Sequence, residues 1–414
     1  MYINKFKILF LTFSLFIFIY TFFKSEIYWD GKLNHYYQIY YYISYFLIFL
    51  SVLFFFINKE KFIYVYIALI TLVVCLYLIE TYLTFFTIYR GSLEIHPKKI
   101  QIYKEKTGLD YDTRQKFEIY DDLKKKDTKI EVAMGPMDHP KGDIYTLSGI
   151  SNVQTILCNE NGSYAIYQSD RYGFRNNDKE WDAKEIEYLI VGDSYSIGEC
   201  VNTNQTISSV LGNISNKSSI TLGFGGNGPL TEYATLKEYI QPNIKKIIWI
   251  YTEGNDQTNL DRELNSKILK KYLIDKSFKQ NLKSKVLLTD SLLKEKVLTE
   301  REKLEYKFER SFVYKLIKFI KFFNTRDKLK YLIKGINVEK RKINPEFKKI
   351  LRSAKNISNT NGSELYFVYV PSTSVIWNSC SKRNMHFFDV KKIIKNDLDI
   401  KFISLCDELF EKEN

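Results

Sequence analysis

The chain has 414 residues, enough for a membrane part and a sizeable folded core, with 45% apolar and 16% aromatic residues and a formal net charge of +13. The positive charge is mostly lysine and reads largely as a compositional habit; with no arginine-rich arm, zinc-finger spacing or RNA-binding aromatic signature, nucleic acid is excluded as a partner. The five cysteines form no C-x-x-C pair, so no metal site is indicated, and no organic cofactor is implied.

The excess of apolar residues sits in the first 90 positions, where three runs predict transmembrane helices. Ile8–Phe23 is flanked by Lys7 and Lys24, whose long side chains can reach the interfaces. Ile39–Ile57 carries no charge. Phe62–Ile79 continues past Glu80 to Tyr89. No small-residue cleavage site follows the first run, so a multi-pass anchor over 1–90 is preferred to a signal peptide. Tyrosines crowd the ends of the second and third runs like an interfacial belt. Lys5, Lys7, Lys59 and Lys61 favour a cytoplasmic N-terminus and a soluble domain on the extracytoplasmic side, against a mild contrary pull from Arg90, Lys98 and Lys99. Glu80 is either a functional intramembrane charge or a residue one turn below the interface.

Residues 91–184 are irregular, charged and rich in turn signals, and read as a linker with a small leading subregion. From 185 onward short apolar runs alternate with helical patterns. Strands are predicted at Tyr188–Val191, Ser219–Leu222, Lys246–Tyr251, Glu364–Val370 and Lys401–Leu405. Helices are predicted at Thr206–Ile214, Leu230–Ile240 behind Pro229, and Phe387–Asn396. Buried-type strands alternating with helices imply an α/β fold with a parallel sheet, whose ligands gather at the carboxyl ends of the strands. A Lys/Glu/Leu-rich helical insertion at about 259–342 interrupts the pattern. It includes the basic amphipathic run Tyr314–Phe323. It is expected to pack as a lid over the sheet, with contact to a membrane surface as the alternative.

Three strands end in polar or glycine-rich turns: Val191-Gly-Asp-Ser-Tyr-Ser-Ile-Gly198, Leu222-Gly-Phe-Gly-Gly-Asn-Gly228 and Tyr251-Thr-Glu-Gly-Asn-Asp256. A serine at a strand-to-helix turn can expose its hydroxyl beside free backbone N–H groups, which together with a neighbouring glycine turn and an asparagine amide can cradle an oxyanion. These turns, in this order, resemble the first three blocks of the SGNH (GDSL-like) hydrolases, over roughly Arg171 to Asn414. Thr221 stands where the family often has Asn. The resemblance implies a flavodoxin-like three-layer parallel sheet behind three transmembrane helices. It also implies Ser194 as nucleophile and oxyanion donor, with Gly226 and Asn255 as further oxyanion donors. Cys158 and Cys200 flank the first block and are a candidate disulfide; the four cysteines of the soluble part are equally compatible with free thiols.

The family's fourth block, Asp-x-x-His, is not found. Of the four histidines His35, His96, His139 and His386, only His386 follows the fourth strand, with Asp389 after it in reversed order, and it is kept as a weak candidate base. Without a base a serine is a poor nucleophile. A product shorter than its gene, a base supplied from elsewhere, and a non-catalytic relative are the three explanations, and truncation or degeneration from an active ancestor is the preferred one. The expected function is that of a membrane-anchored serine esterase or O-acyl transferase acting on acyl groups of cell-envelope carbohydrate or lipid. The alternative is an inactive relative that binds glycans or scaffolds an envelope complex. The oligomeric state is not legible.

Overall fold

In the computed structural model, residues 2–28, 30–31, 34–85, 97–139, 143–305, 312–336, 343–372 and 385–410 are described. His96, Cys380 and Arg90, which entered the sequence reading, lie outside them. Contacts divide the chain into two compact units. One comprises Met1–Ile88 with Ile317–Lys328; the other comprises Tyr89–Leu316 with Leu329–Asn414.

The first unit is built on three long helices, α1 (Tyr2–Phe22), α2 (Asn34–Phe56) and α3 (Lys59–Phe85). Their apolar spans, Asn4–Tyr28, Tyr37–Phe56 and Lys59–Thr84, are 25, 20 and 26 residues long. At ~1.5 Å per residue each can cross a hydrocarbon core of about 30 Å, so the protein is a membrane protein. Small residues let α1 and α2 approach. Ser14 and Ser51 place their hydroxyls 2.9 Å apart, buried between the helices. Lys7 donates from Nζ to the Ile57 carbonyl at 2.9 Å, satisfying an orphan acceptor just past the end of α2. Large side chains such as Phe16, Ile19, Phe46 and Leu78 point outward.

In the second unit the stretch read as a linker with a small leading subregion carries helices and short strands. Two short helices, α4 (Pro97–Thr107) and α5 (Lys116–Lys124), precede five three-residue strands: β1 (Ile130–Val132), β2 (Met137–His139), β3 (Ile144–Thr146), β4 (Gln154–Ile156) and β5 (Ile166–Gln168). β4 pairs parallel with β1 and antiparallel with β5, and β2 and β3 form a hairpin. Ile130, Val132, Ile150 and Ile156 bury together with Ile119 and Tyr120 of α5.

The main sheet follows, and it corresponds closely to the predicted elements. β6 (Ile186–Val191) leads through the single turn α6 (Ser194–Ile197) to α7 (Ile207–Ser215), β7 (Ser219–Thr221), α8 (Pro229–Tyr239) and β8 (Ile244–Thr252). After β8 come α9 (Asp256–Glu263), α10 (Lys267–Ile274), α11 (Val286–Glu305), α12 (Phe312–Ile320) and α13 (Phe323–Ile336). α14 (Pro345–Thr360), β9 (Glu364–Val370), α15 (Met385–Lys391) and β10 (Lys401–Ser404) complete it. The five strands are all parallel, in the order β10-β9-β8-β6-β7. Numbered within the sheet the order is 2-1-3-4-5, so the direction of winding reverses between β6 and β8. One face, with Leu189, Trp249, Tyr251, Phe367 and Tyr369, is buried under α8, α14 and α15. The other, with Ile190 and Ile250, is covered by Ile207 and Leu211 of α7. The lid expected of the insertion is corrected at Ile317–Lys328, which pack with the membrane helices instead.

Candidate active site

Ser194, Gly226 and Asn255 follow β6, β7 and β8, so all three stand at the carboxyl edge of the sheet, around the point where the winding reverses. The turn after β6 is tight because two glycines let it close. A Cβ on Gly192, whose φ is +155°, would meet Ser196 Oγ and the Ile250 carbonyl oxygen; one on Gly223 would meet Ser196 Cβ and Ile197 N. α6 is thereby wedged against the ends of β7 and β8, with Ser194 as its first residue, half-buried and reachable.

Asp193 organises this turn. Its carboxylate is fully buried. Oδ1 accepts from Tyr195 N at 3.0 Å, capping α6, and from Thr252 Oγ1 at 3.3 Å. Oδ2 accepts from Asn255 Nδ2 at 2.9 Å and, at 3.5 Å, from Ser194 Oγ. Asp193 therefore links the serine hydroxyl and the asparagine amide through one carboxylate. The amide keeps a second N–H, since an NH₂ carries two donors. No hydrogen bond joins Gly226 to Ser194 or Asn255 among the described residues. Gly226 stands in the left-handed region at φ +85° with open space around its Cα, and its carbonyl accepts from Arg262 Nη2 at 3.2 Å. Among the described residues the N–H groups of Ser194 and Gly226 make no hydrogen bond.

Beneath the strand ends lies a set of carboxyl groups. Glu263 accepts from Gly228 N at 2.6 Å and from Leu230 N at 3.0 Å, closing the glycine turn onto the start of α8. Burial pushes its carboxyl up. Glu232 and Asp256 are fully buried. Both are held well above the usual carboxylate range, first by burial and then by the like charges of their neighbours, Asp193 among them. Among the described residues neither oxygen of Glu232 has a hydrogen-bond partner in good geometry, which makes its charged form costly.

Sequence reasoning gave Asp193 no role of its own, although an Asp directly before a helical turn is a capping signal. The short aromatic run Asp170–Asn176 also supports the site. Asp170 accepts from Tyr172 N, Phe174 N, Asn176 Nδ2 and Trp181 Nε1 at 2.7–2.9 Å. Asn176 pairs with the backbone N–H and C=O of Thr221, acting as an extra strand residue beside β7. Arg175, buried and with no carboxylate partner among the described residues, donates to the Gly198 and Val201 carbonyls and fixes the loop after α6. In that loop Cys158 and Cys200 form a disulfide, their Cα atoms 5.1 Å apart.

No histidine hydrogen-bonds Ser194 among the described residues. His386 is engaged elsewhere: its Nε2 lies 2.7 Å from the hydroxyl of buried Tyr251, at the end of β8. His139 Nε2 lies 3.4 Å from Thr146 Oγ1 in the hairpin of β2 and β3. A cleft of about 930 Å³, lined by residues that include Arg175, Asn176, Ser208 and Lys217, runs beside β7 and includes none of Ser194, Gly226 and Asn255. Compared with known proteins, the chain matches no family model and no curated protein sequence.

Proposed function

We propose that this chain is a membrane-anchored SGNH (GDSL-like) hydrolase-like protein, a serine esterase or O-acyl transferase working on acyl groups of cell-envelope carbohydrate or lipid. The observation that carries the reading is the juxtaposition at one sheet edge of a reachable serine, the asparagine amide tied to it through Asp193, and two unpartnered N–H groups at Ser194 and Gly226. The strand order 2-1-3-4-5 with helices on both faces, which is the flavodoxin-like order, supports the same reading. In the reaction the Ser194 oxygen bonds to the ester carbonyl carbon, and the alcohol leaves with the serine proton. Water or a second hydroxyl then takes the acyl group and returns a proton to Ser194. The oxyanion formed in each step sits among the Ser194 N–H, the Gly226 N–H and the Asn255 amide; losing one such donor typically costs about 10²–10³ in rate.

The Cys158–Cys200 disulfide favours an oxidising compartment, and with it an extracytoplasmic second unit and a three-span anchor with its N-terminus inside. A second reading is favoured by the position of the histidines: with none at Ser194 among the described residues, the fold serves binding or assembly in the envelope without turnover. Fluorophosphonate labelling of the full chain in detergent, read by intact mass with Ser194→Ala as control, separates the two. An adduct lost in the variant supports the enzyme and makes His386→Ala the next variant. A folded protein that takes no label overturns it in favour of the binding role.

A further inference from the structure

Glu80 is completely shielded inside α3, five residues before the helix ends at Phe85. At ~1.5 Å per residue this is about 8 Å of helix from its end. A carboxylate at such a depth is costly unless it is given donors. It has three. Asn324 N donates at 3.1 Å, Thr325 N at 2.8 Å and Thr325 Oγ1 at 2.7 Å. These are first-turn groups of α13, so a residue of a membrane span caps a helix that arrives from far along the sequence. The same turn is held from both sides. Asn324 Nδ2 donates to Thr84 Oγ1 at 2.9 Å, the Tyr77 ring lies 4.3 Å from that of Phe322, and Arg326 lies over Tyr40 at 5.9 Å.

What this clamp presents outward is specific. Leu316, Ile320 and Leu329 are 43–54% exposed, and Lys321 and Lys328 are exposed beside them. Over Ile317–Lys328 four cations (Lys318, Lys321, Arg326, Lys328) face one acid, Asp327, for a net +3. Exposed apolar side chains interleaved with cations, at the end of a membrane span, match the boundary between acyl chains and acidic headgroups. We infer that Ile317–Lys328 is an interfacial foot of the membrane unit, clamped by Glu80, that seats Ile320 and its apolar neighbours among acyl chains and binds anionic lipid headgroups through Lys321, Arg326 and Lys328. The inference uses nothing of the serine site.

The test uses the full chain, with Cys75→Ser to remove the exposed free thiol and Ile320→Cys to carry a spin label, in bilayers of phosphatidylcholine alone or with phosphatidylglycerol. The label is expected to collide more with oxygen than with a water-soluble nickel chelate. Phosphatidylglycerol is expected to be enriched over phosphatidylcholine among lipids retained in native mass spectra. Lys321→Glu with Lys328→Glu, both at exposed positions, is expected to reduce that enrichment by about tenfold or more. Preferential collision with the nickel chelate overturns the foot. Unchanged enrichment in the double variant overturns the headgroup contact.

Discussion

A carboxylate without access to solvent must draw its hydrogen bonds from the protein, and at Asp193 two of the four come from groups assigned to chemistry. Asn255→Ala removes one of them and leaves the buried charge short of a donor. The expected loss is roughly 1–3 kcal/mol of stability, measured by denaturant unfolding, together with loss of fluorophosphonate reactivity at Ser194. Asp170 is the more structural case. Burial raises its carboxyl while the Trp181, Asn176 and backbone donors lower it. Asp170→Ala orphans Trp181 Nε1 and two backbone N–H groups, and is expected to cost roughly 3 kcal/mol or more, read as a lowered unfolding midpoint. Both roles are half-visible in the sequence. An Asp between a strand and a turn announces a cap, whereas the four donors that converge on Asp170 are collected by the fold and carry no spacing signature.

Strands β6, β8 and β9 are legible because their cores are continuous apolar runs stopped by glycine, proline or polar turns, and parallel central strands need apolar residues on both faces; the short β7, Ser219–Thr221, is marked instead by the glycine-rich turn that follows it. The three-residue strands β1 to β5 are not legible, since so short a run shows no alternation. Their order comes from contacts such as those of Val132 and Ile156 with α5, far apart in the chain. The wedge of α6 depends on the absence of side chains at Gly192 and Gly223. Gly223→Ala is expected to push α6 off the sheet edge at a cost of roughly 1–3 kcal/mol. Ser194 labelling should fall with the displacement, while far-ultraviolet circular dichroism should show the sheet retained. An unchanged labelling rate would mean the turn tolerates the methyl group. The insertion shows the converse limit: its amphipathic period was plain, but the surface it covers is set by Glu80, which no local pattern could indicate.

At the scale of the whole molecule the buried carboxyls make stability depend on pH in an unusual direction. Glu232 and Asp256, and to a smaller degree Glu263, have carboxyls raised above their unfolded values. A raised carboxyl stabilises the fold fully below the unfolded value and loses that contribution as pH climbs through the folded one. The second unit is therefore expected to unfold at lower denaturant at pH 8 than at pH 5.5, and Glu232→Gln to flatten the slope. The salt-bridged carboxyls Asp112 and Asp178 are lowered by Arg114 and Arg171, and so act only at more acidic pH. The Cys158–Cys200 bridge closes a loop spanning 42 positions, so its loss is expected to cost about 3–4 kcal/mol, seen as a lower unfolding midpoint of Cys158→Ser/Cys200→Ser than of the unsubstituted chain, both without reductant because Cys406 is also disulfide-bonded.

The hydrogen bonds to Glu80 also have a schedule. Their donors are 244 and 245 positions later in the chain. At about 5–20 residues per second, a ribosome takes roughly 10–50 seconds to reach them after making Glu80. The third span is thus inserted while its carboxylate has no protein partner. Its place near the end of the span lets water serve until Asn324 and Thr325 are synthesised, and the membrane unit is finished only after most of the second unit has been made.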